Sequence, residues 1–190
     1  MHDLEPYYQW QHFYDASEDQ RSPFYKTIHS EFEFTNKIYN YLIHPQWNDF
    51  GANNLYVKVL FVDYDTQHAI LEFIGEWDDC IDNDILNIIK GLVNPMLAEG
   101  ISKFVFVLEN VLNFHGSDDL YYEELYENVK DEDGWIVFVG LLPHVEAEMR
   151  KSRIHRYIDF GEEWNELPWR RYNPDLLLEK IESMQQLSLE

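Results

Sequence analysis

HAILEFIGEWDDCIDNDILNIIKGLVNPMLAEGISKFVFVL, residues 68–108, decides the fold. It opens with an apolar run of strand length, 68–75, and passes through 81–97, where Ile85, Ile88, Ile89, Leu92 and Met96 fall on one helical face. It closes with a second apolar run, 103–108. Strand, helix-length crossover, strand is the pattern of a βαβ unit and a largely parallel sheet. The alternation continues through a helix-like run at 118–129, a strand-like run at 135–140, a helix-like run at 143–153 and a strand-like run at 156–160.

Local chemistry punctuates these runs. Asp78, Asp79 and Asp82 offer N-caps for the first helix, where carboxylates also suit the helix dipole. Pro95 either kinks that helix or ends it near Val93, with a short turn resuming before Gly100. Residues 104–108 and 136–139 are nearly unbroken apolar stretches, as expected of strands covered on both faces. Pro143 suits the first turn of the next helix, and Pro174 opens a last one through Leu176, Leu177, Leu178 and Ile181. Upstream, 37–43 and 55–62 alternate as strands do, and the latter turns at 63–66 into 69–74 as a hairpin. Residues 44–54, with Pro45 and Gly51, read as a long connection.

Residues 1–36 are a leader of nine large rings, among them Tyr7, Trp10, Phe13, Phe24 and Phe32, interleaved with acids. Leaving each ring in water costs about 1.5–3 kcal/mol relative to full burial, so the leader is expected to pack on its own domain or across a homodimer. Within it, the polar stretch 15–23 reads as the mobile piece.

Composition excludes several function classes. The 190 residues are 45% apolar and 16% aromatic, too rich for disorder. A net charge of −22 opposes binding to nucleic acid and to anionic membrane surfaces. No run has the length of a membrane span and no secretory leader is visible, so a soluble, cytoplasmic protein is expected. One cysteine rules out an internal disulfide framework.

Candidate chemistry is sparse. Cys80 lies near a helix start that could activate it, but Asp78, Asp79 and Asp82 disfavour a thiolate. His115, Ser117 and Asp118 have triad residue types but are sequence neighbours, without a nucleophile-elbow glycine pattern; Ser117 reads better as an N-cap. The eight histidines show no metal-ligand spacing, Asp131-Glu132-Asp133-Gly134 lacks the remaining ligands of a calcium loop, and Gly140-Leu141-Leu142-Pro143 is no phosphate loop. Neither metal nor cofactor is expected.

Charge is the stronger hint. Residues 109–133 carry nine acids against Lys130 alone, whereas 144–171 hold six bases and six acids. An acidic helix beside a locally basic one can steer a partner. Tyr121, Tyr122 and Tyr126 exceed what one inner helix face needs, and tyrosine is enriched in interfaces.

Taken together, residues 68–160 resemble the STAS superfamily, the fold of bacterial anti-sigma-factor antagonists and their sporulation-type relatives. The matching features are the strand ending Phe73-Ile74-Gly75, the helix after it, the strand 104–109 and a loop through Phe114 to a serine opening a helix. The strand 135–140 with Leu141-Leu142-Pro143 completes them. They span about half the chain, in an order shared by other α/β modules. In that family the helix opens with an Asp-Ser-Ser-Gly-like motif whose serine or threonine a partner kinase phosphorylates. The stretch here is Gly116-Ser117-Asp118-Asp119: Ser117 matches one motif serine, Asp118 stands near the other, and the flanking Asp and Gly are replaced. An aspartate there would act as a fixed charge or as first-turn capping chemistry.

The resulting expectation is a single α/β domain over 37–190. It comprises a mixed, mostly parallel sheet of four to six strands with flanking helices, a STAS-like core at 68–160, an N-terminal β-meander and a last helix at 174–186. Its expected role is a non-enzymatic protein–protein interaction or regulatory module of bacterial signalling, working through the acidic, Tyr-rich helix 118–130. Its partner-binding or switch candidates are Ser117, Asp118, Asp119, Tyr122, Glu123, Tyr126 and Glu127. The competing expectation is an enzyme or small-ligand binder with a pocket near His115, Asp118 and His144.

Overall fold

The computed structural model describes residues 4–188. A two-residue-per-strand ladder, β1 (Lys37–Ile38) with β2 (Tyr41–Leu42), precedes the main sheet. The sheet then builds from β3 (Leu55–Asp63) and β4 (His68–Asp78). A crossover follows: α1 (Asp84–Ile88), a π-helical turn (Ile89–Val93) and α2 (Asn94–Ala98). Next come β5 (Lys103–His115), α3 (Leu120–Lys130), β6 (Trp135–Val139) and α4 (Pro143–Lys151). The chain closes through α5 (Glu162–Asn165) and α6 (Pro174–Ser188).

Sheet order is β3-β4-β5-β6, antiparallel in the first pair and parallel in the other two. This is the mixed, mostly parallel α/β sheet the alternation implies. Side chains alternate between its faces. Leu71, Phe73, Trp77, Phe104, Phe106 and Phe138 meet Ile85, Leu92, Tyr122, Leu125, Val145 and Met149 from α1, the π-helical turn, α3 and α4 on one face. Ile70, Val105, Val107, Val137 and Val139 meet Trp164, Trp169, Leu177 and Ile181 on the other. Both faces are covered, which is why 104–108 and 136–139 are apolar without a break.

The expected meander is not one sheet. Residues 37–43 bend at Tyr39, whose φ of 51° lies in the left-handed region, so the run folds back on itself as β1–β2. The connection 44–54 joins the main sheet through an isolated bridge, Asn48 to Val57, and through the Asn54 carbonyl oxygen, which accepts the Glu76 N–H at 2.9 Å. Gly75, expected as a strand end, is instead inside β4, where an added Cβ would lie 1.9 Å from the Asn54 carbonyl oxygen. Close backbone approach demands glycine there.

Pro95 resolves both expectations for its helix. A proline ring collides with the carbonyl four residues earlier, and the turn before it widens to π geometry over Ile89–Val93 so that α2 can continue. The expected strand 156–160 forms only one bridge, Val137 to Asp159, after a 3-10 turn at Ile154–Arg156. Its apolar residues Ile158 and Phe160 are core contacts of an irregular segment.

The leader packs on its own chain. Trp10 is buried against Trp169, whereas Ala16 and Phe24 join the opposite core, so residues 10–24 straddle the sheet. The stretch 15–23, expected to be mobile, is a run of bonded turns: Asp19 accepts the hydroxyls of Tyr14 and Tyr64, and Arg21 lies over the Tyr64 ring. Phe13 and Phe32 remain exposed.

Candidate functional site

The edge that α3 presents depends on how the helix is rotated, and Tyr122 sets that rotation. The Tyr122 side chain is 1% exposed and its hydroxyl donates to Asp79 Oδ2 at 2.7 Å. Asp79 Oδ1 also accepts Trp77 Nε1–H and the Ile85 N–H, each at 2.9 Å. Burial raises the Asp79 pKa, and these three donors oppose that rise; burial next to Asp79 likewise holds the Tyr122 phenol well above its usual range. The end of β4, the start of α1 and the first turn of α3 are thereby tied at one carboxylate. Tyr122, expected as a partner anchor, is thus an internal post. Its hydroxyl needed a buried acceptor, and Asp79 supplies one.

With Tyr122, Leu125 and Val129 turned inward, Glu123, Glu124 and Glu127 face solvent. Leu120 is 64% exposed and Tyr126 37%. Tyr126 sits on the flank of the helix, with the Lys130 ammonium 5.1 Å from its ring and the Tyr157 ring 6.2 Å away. Beside it opens a groove of about 220 Å³, lined among others by Tyr126, Trp135, His155, Arg156, Tyr157 and Asp159. One guanidinium nitrogen of Arg156 lies 4.0 Å from Asp119 Oδ2. The acidic helix and the basic pair His155 and Arg156 therefore meet along this groove.

The opening of α3 differs from expectation. The strand before it runs to His115, further than the loop through Phe114, because Val111 and Phe114 keep supplying the inner core while Asn110 and Asn113 bond Glu72 and Glu76 on the other face. The helix consequently begins at Leu120, not at a serine cap. Ser117 is exposed and does not cap it; the cap position is Asp119, and Asp118 Oδ1 accepts the Leu120 N–H at 3.2 Å. Asp78 and Asp82 do not cap α1 either: its cap position is Asn83, in left-handed geometry, while Asp79 takes the Ile85 N–H.

His115, Asp118 and His144 are not brought together around a cavity. His115 pairs with Asp78 at the strand ends, His144 Nε2 bonds the Leu112 carbonyl oxygen at 2.7 Å, and none of the three lines the groove beside Tyr126. Cys80 is exposed, with its thiol directed to the Gly116 carbonyl at 2.7 Å. Among the described residues no three His, Cys, Asp or Glu side chains converge as metal ligands, and no helix is long and apolar enough to cross a membrane.

Two polar features escaped the sequence reading. Glu72 is 1% exposed within β4; its Oε2 accepts the Tyr7 N–H at 2.8 Å and its Oε1 the Asn110 amide at 3.2 Å. Burial raises its pKa to about 7 against the pull of those donors and of Arg170. A glutamate inside an otherwise apolar strand run was the available signal. The second is a pair between Asn48 and His29 of the leader, for which residues 44–54 gave no signal beyond being a connection.

No protein family and no curated protein matches the chain. Among solved structures it is similar to a candidate anti-sigma factor antagonist from Thermotoga maritima, with a TM-score of 0.40 and 15% identity. The match covers 56% of this chain and 87% of that one.

Proposed function

We propose that the protein is a non-enzymatic interaction module that presents α3 and its flanking groove to a basic protein partner. The observation that carries this reading is the outer surface of α3: Leu120 exposed amid Glu123, Glu124 and Glu127, with Tyr126 at the rim of a groove, on a helix whose inner side is already filled. Clustered acids speed the capture of a cationic surface, and a leucine and a tyrosine beside them supply area that gains by desolvation. The resemblance seen in the sequence adds a regulatory role in bacterial signalling. On that reading Ser117, Asp118 and Asp119 form a switch at the opening of α3, with Arg156 as the nearby cation for added negative charge.

The test places a photo-crosslinking amino acid at Leu120 or Tyr126 in cells, with Lys90 on the π-helical turn as the control site. The protein captured from α3 is then purified and its binding kinetics measured. Association should slow with added salt, slow about tenfold in the Glu123→Lys, Glu127→Lys variant, and lose much of its salt dependence there. Tyr126→Ala should mainly speed dissociation. Equal labelling from the control site, or binding indifferent to all three changes, would refute the reading.

A further inference from the structure

A second site lies away from α3, where the leader crosses the 45–49 loop. A cavity of about 330 Å³ opens there, inside the range of about 300–1,000 Å³ usual for small-molecule pockets. Trp47, Phe24 and Pro45 give it apolar walls, and Glu33 and Asp49 lie on its solvent side.

Its inner wall is fixed by a chain of hydrogen bonds whose directions can be assigned. His29 Nδ1 lies 2.8 Å from the Pro45 carbonyl oxygen, which only accepts, so the ring hydrogen is on Nδ1. In the neutral ring Nε2 is then an acceptor, and it receives Asn48 Nδ2 at 3.3 Å. Burial, with Lys58 nearby, lowers the His29 pKa and keeps the ring neutral. Asp15 offsets part of the Lys58 charge felt at His29.

With Nδ2 committed to His29, the Asn48 carbonyl oxygen is left over. Asn48 is 2% exposed, its backbone is locked to Val57 by bonds of 2.7 and 3.0 Å, and its Oδ1 has no partner. Buried acceptors are nearly always paired, so this one marks a missing donor. Asn36 cannot serve, because its amide donates to the Trp47 carbonyl at 2.8 Å. The cavity thus combines two carboxylates and hydroxyls from Thr27, Ser30 and Thr35 with a neutral histidine and no lysine or arginine in its lining, and the orphan acceptor lies covered within the Asn48 part of its wall.

We infer that this cavity binds a small organic cation of the alkylammonium class, whose charge is held by Glu33 and Asp49 and one of whose N–H donors reaches Asn48 Oδ1 by a small shift of the wall that covers it. The alkyl part lies against Trp47 and Phe24.

Putrescine is a suitable probe, with butane-1,4-diol and succinate as the uncharged and anionic counterparts. Calorimetric titration should give saturable one-to-one binding of the diamine, at least tenfold tighter than either counterpart. In ¹H–¹⁵N spectra the Asn48 side-chain amide and the Trp47 indole signals should move with the same midpoint. Glu33→Gln with Asp49→Asn should weaken binding at least tenfold. Both positions are exposed, and the amide oxygen can keep the bond from the Gly51 N–H, so the fold should hold. Glu123→Gln with Glu127→Gln should change the affinity less than twofold. Equal weakening by both pairs would overturn the proposal in favour of diffuse attraction to the acidic surface. Preference for succinate would also overturn it, as would binding that leaves the Asn48 amide signals in place, the result expected if water completes the orphan oxygen.

Discussion

Glu72→Gln should remove a pH dependence that the wild type carries. In the unfolded chain this carboxyl ionises near 4.5; folded, under Tyr7 and Asn110, it ionises near 7. Between those values the folded state holds a proton that the unfolded state has lost, so stability falls as pH rises through the window. The group contributes no penalty below about pH 4.5 and its full penalty above about pH 7. At about 1.36 kcal/mol per pH unit the penalty approaches about 3 kcal/mol. Asp84, raised from 3.8 to about 6 by burial, bends the wild-type curve in the same sense at lower pH, so the informative quantity is the difference between the two proteins. Glutamine keeps an acceptor for the Tyr7 N–H and is neutral throughout. Urea melts at intervals from pH 4.5 to 8 should show the variant gaining on the wild type by about 3 kcal/mol across the range. The Glu72 carboxyl carbon, followed by NMR in the wild type, should titrate near 7. A flat difference curve together with a carboxyl titrating near 4.5 would mean that the leader does not seal this strand.

Two further outcomes are expected. Tyr122→Phe leaves Asp79 with two donors instead of three and should cost about 1–2 kcal/mol in denaturant melts, whereas Tyr126→Phe should cost under about 0.5 kcal/mol; similar losses at both would contradict the inward rotation of Tyr122. Trp10→Ala should lower stability by about 3 kcal/mol or more, as truncation of a buried tryptophan does, and a loss below about 1 kcal/mol would show that the leader adds little to the core.

The parallel part of the fold was legible because burial on both faces leaves an unbroken apolar run, and 104–108 and 136–139 have one. The far half of β5 was not, because Asn110 and Asn113 look like loop residues until Glu72 and Glu76 stand opposite them on β4. Residues 156–160 failed in the reverse sense: their apolar residues pack, but only Asp159 reaches the sheet. For α3, the inward spacing of Tyr122, Leu125 and Val129 was present in the sequence, yet the phenol disguised it. What reverses the assignment of Tyr122 is an acceptor 43 residues away, which periodicity cannot supply. The Asn48 cavity was equally hidden, since its walls come from two segments that carry no regular pattern.

The seating of Tyr7 and Trp10 on Trp169 has a kinetic consequence. Tyr7 donates its hydroxyl to the Arg170 carbonyl across 163 residues of chain, and both rings pack edge-on against Trp169. Closing so long a loop is entropically slow, and its contacts can form only after the intervening sheet exists to hold them. The β4–α1–β5 crossover, local in sequence, should therefore be protected from amide exchange early in refolding. The Trp10 and Trp169 indoles should reach their native fluorescence only in the last phase, as a latch that sets the unfolding rate more than the folding rate.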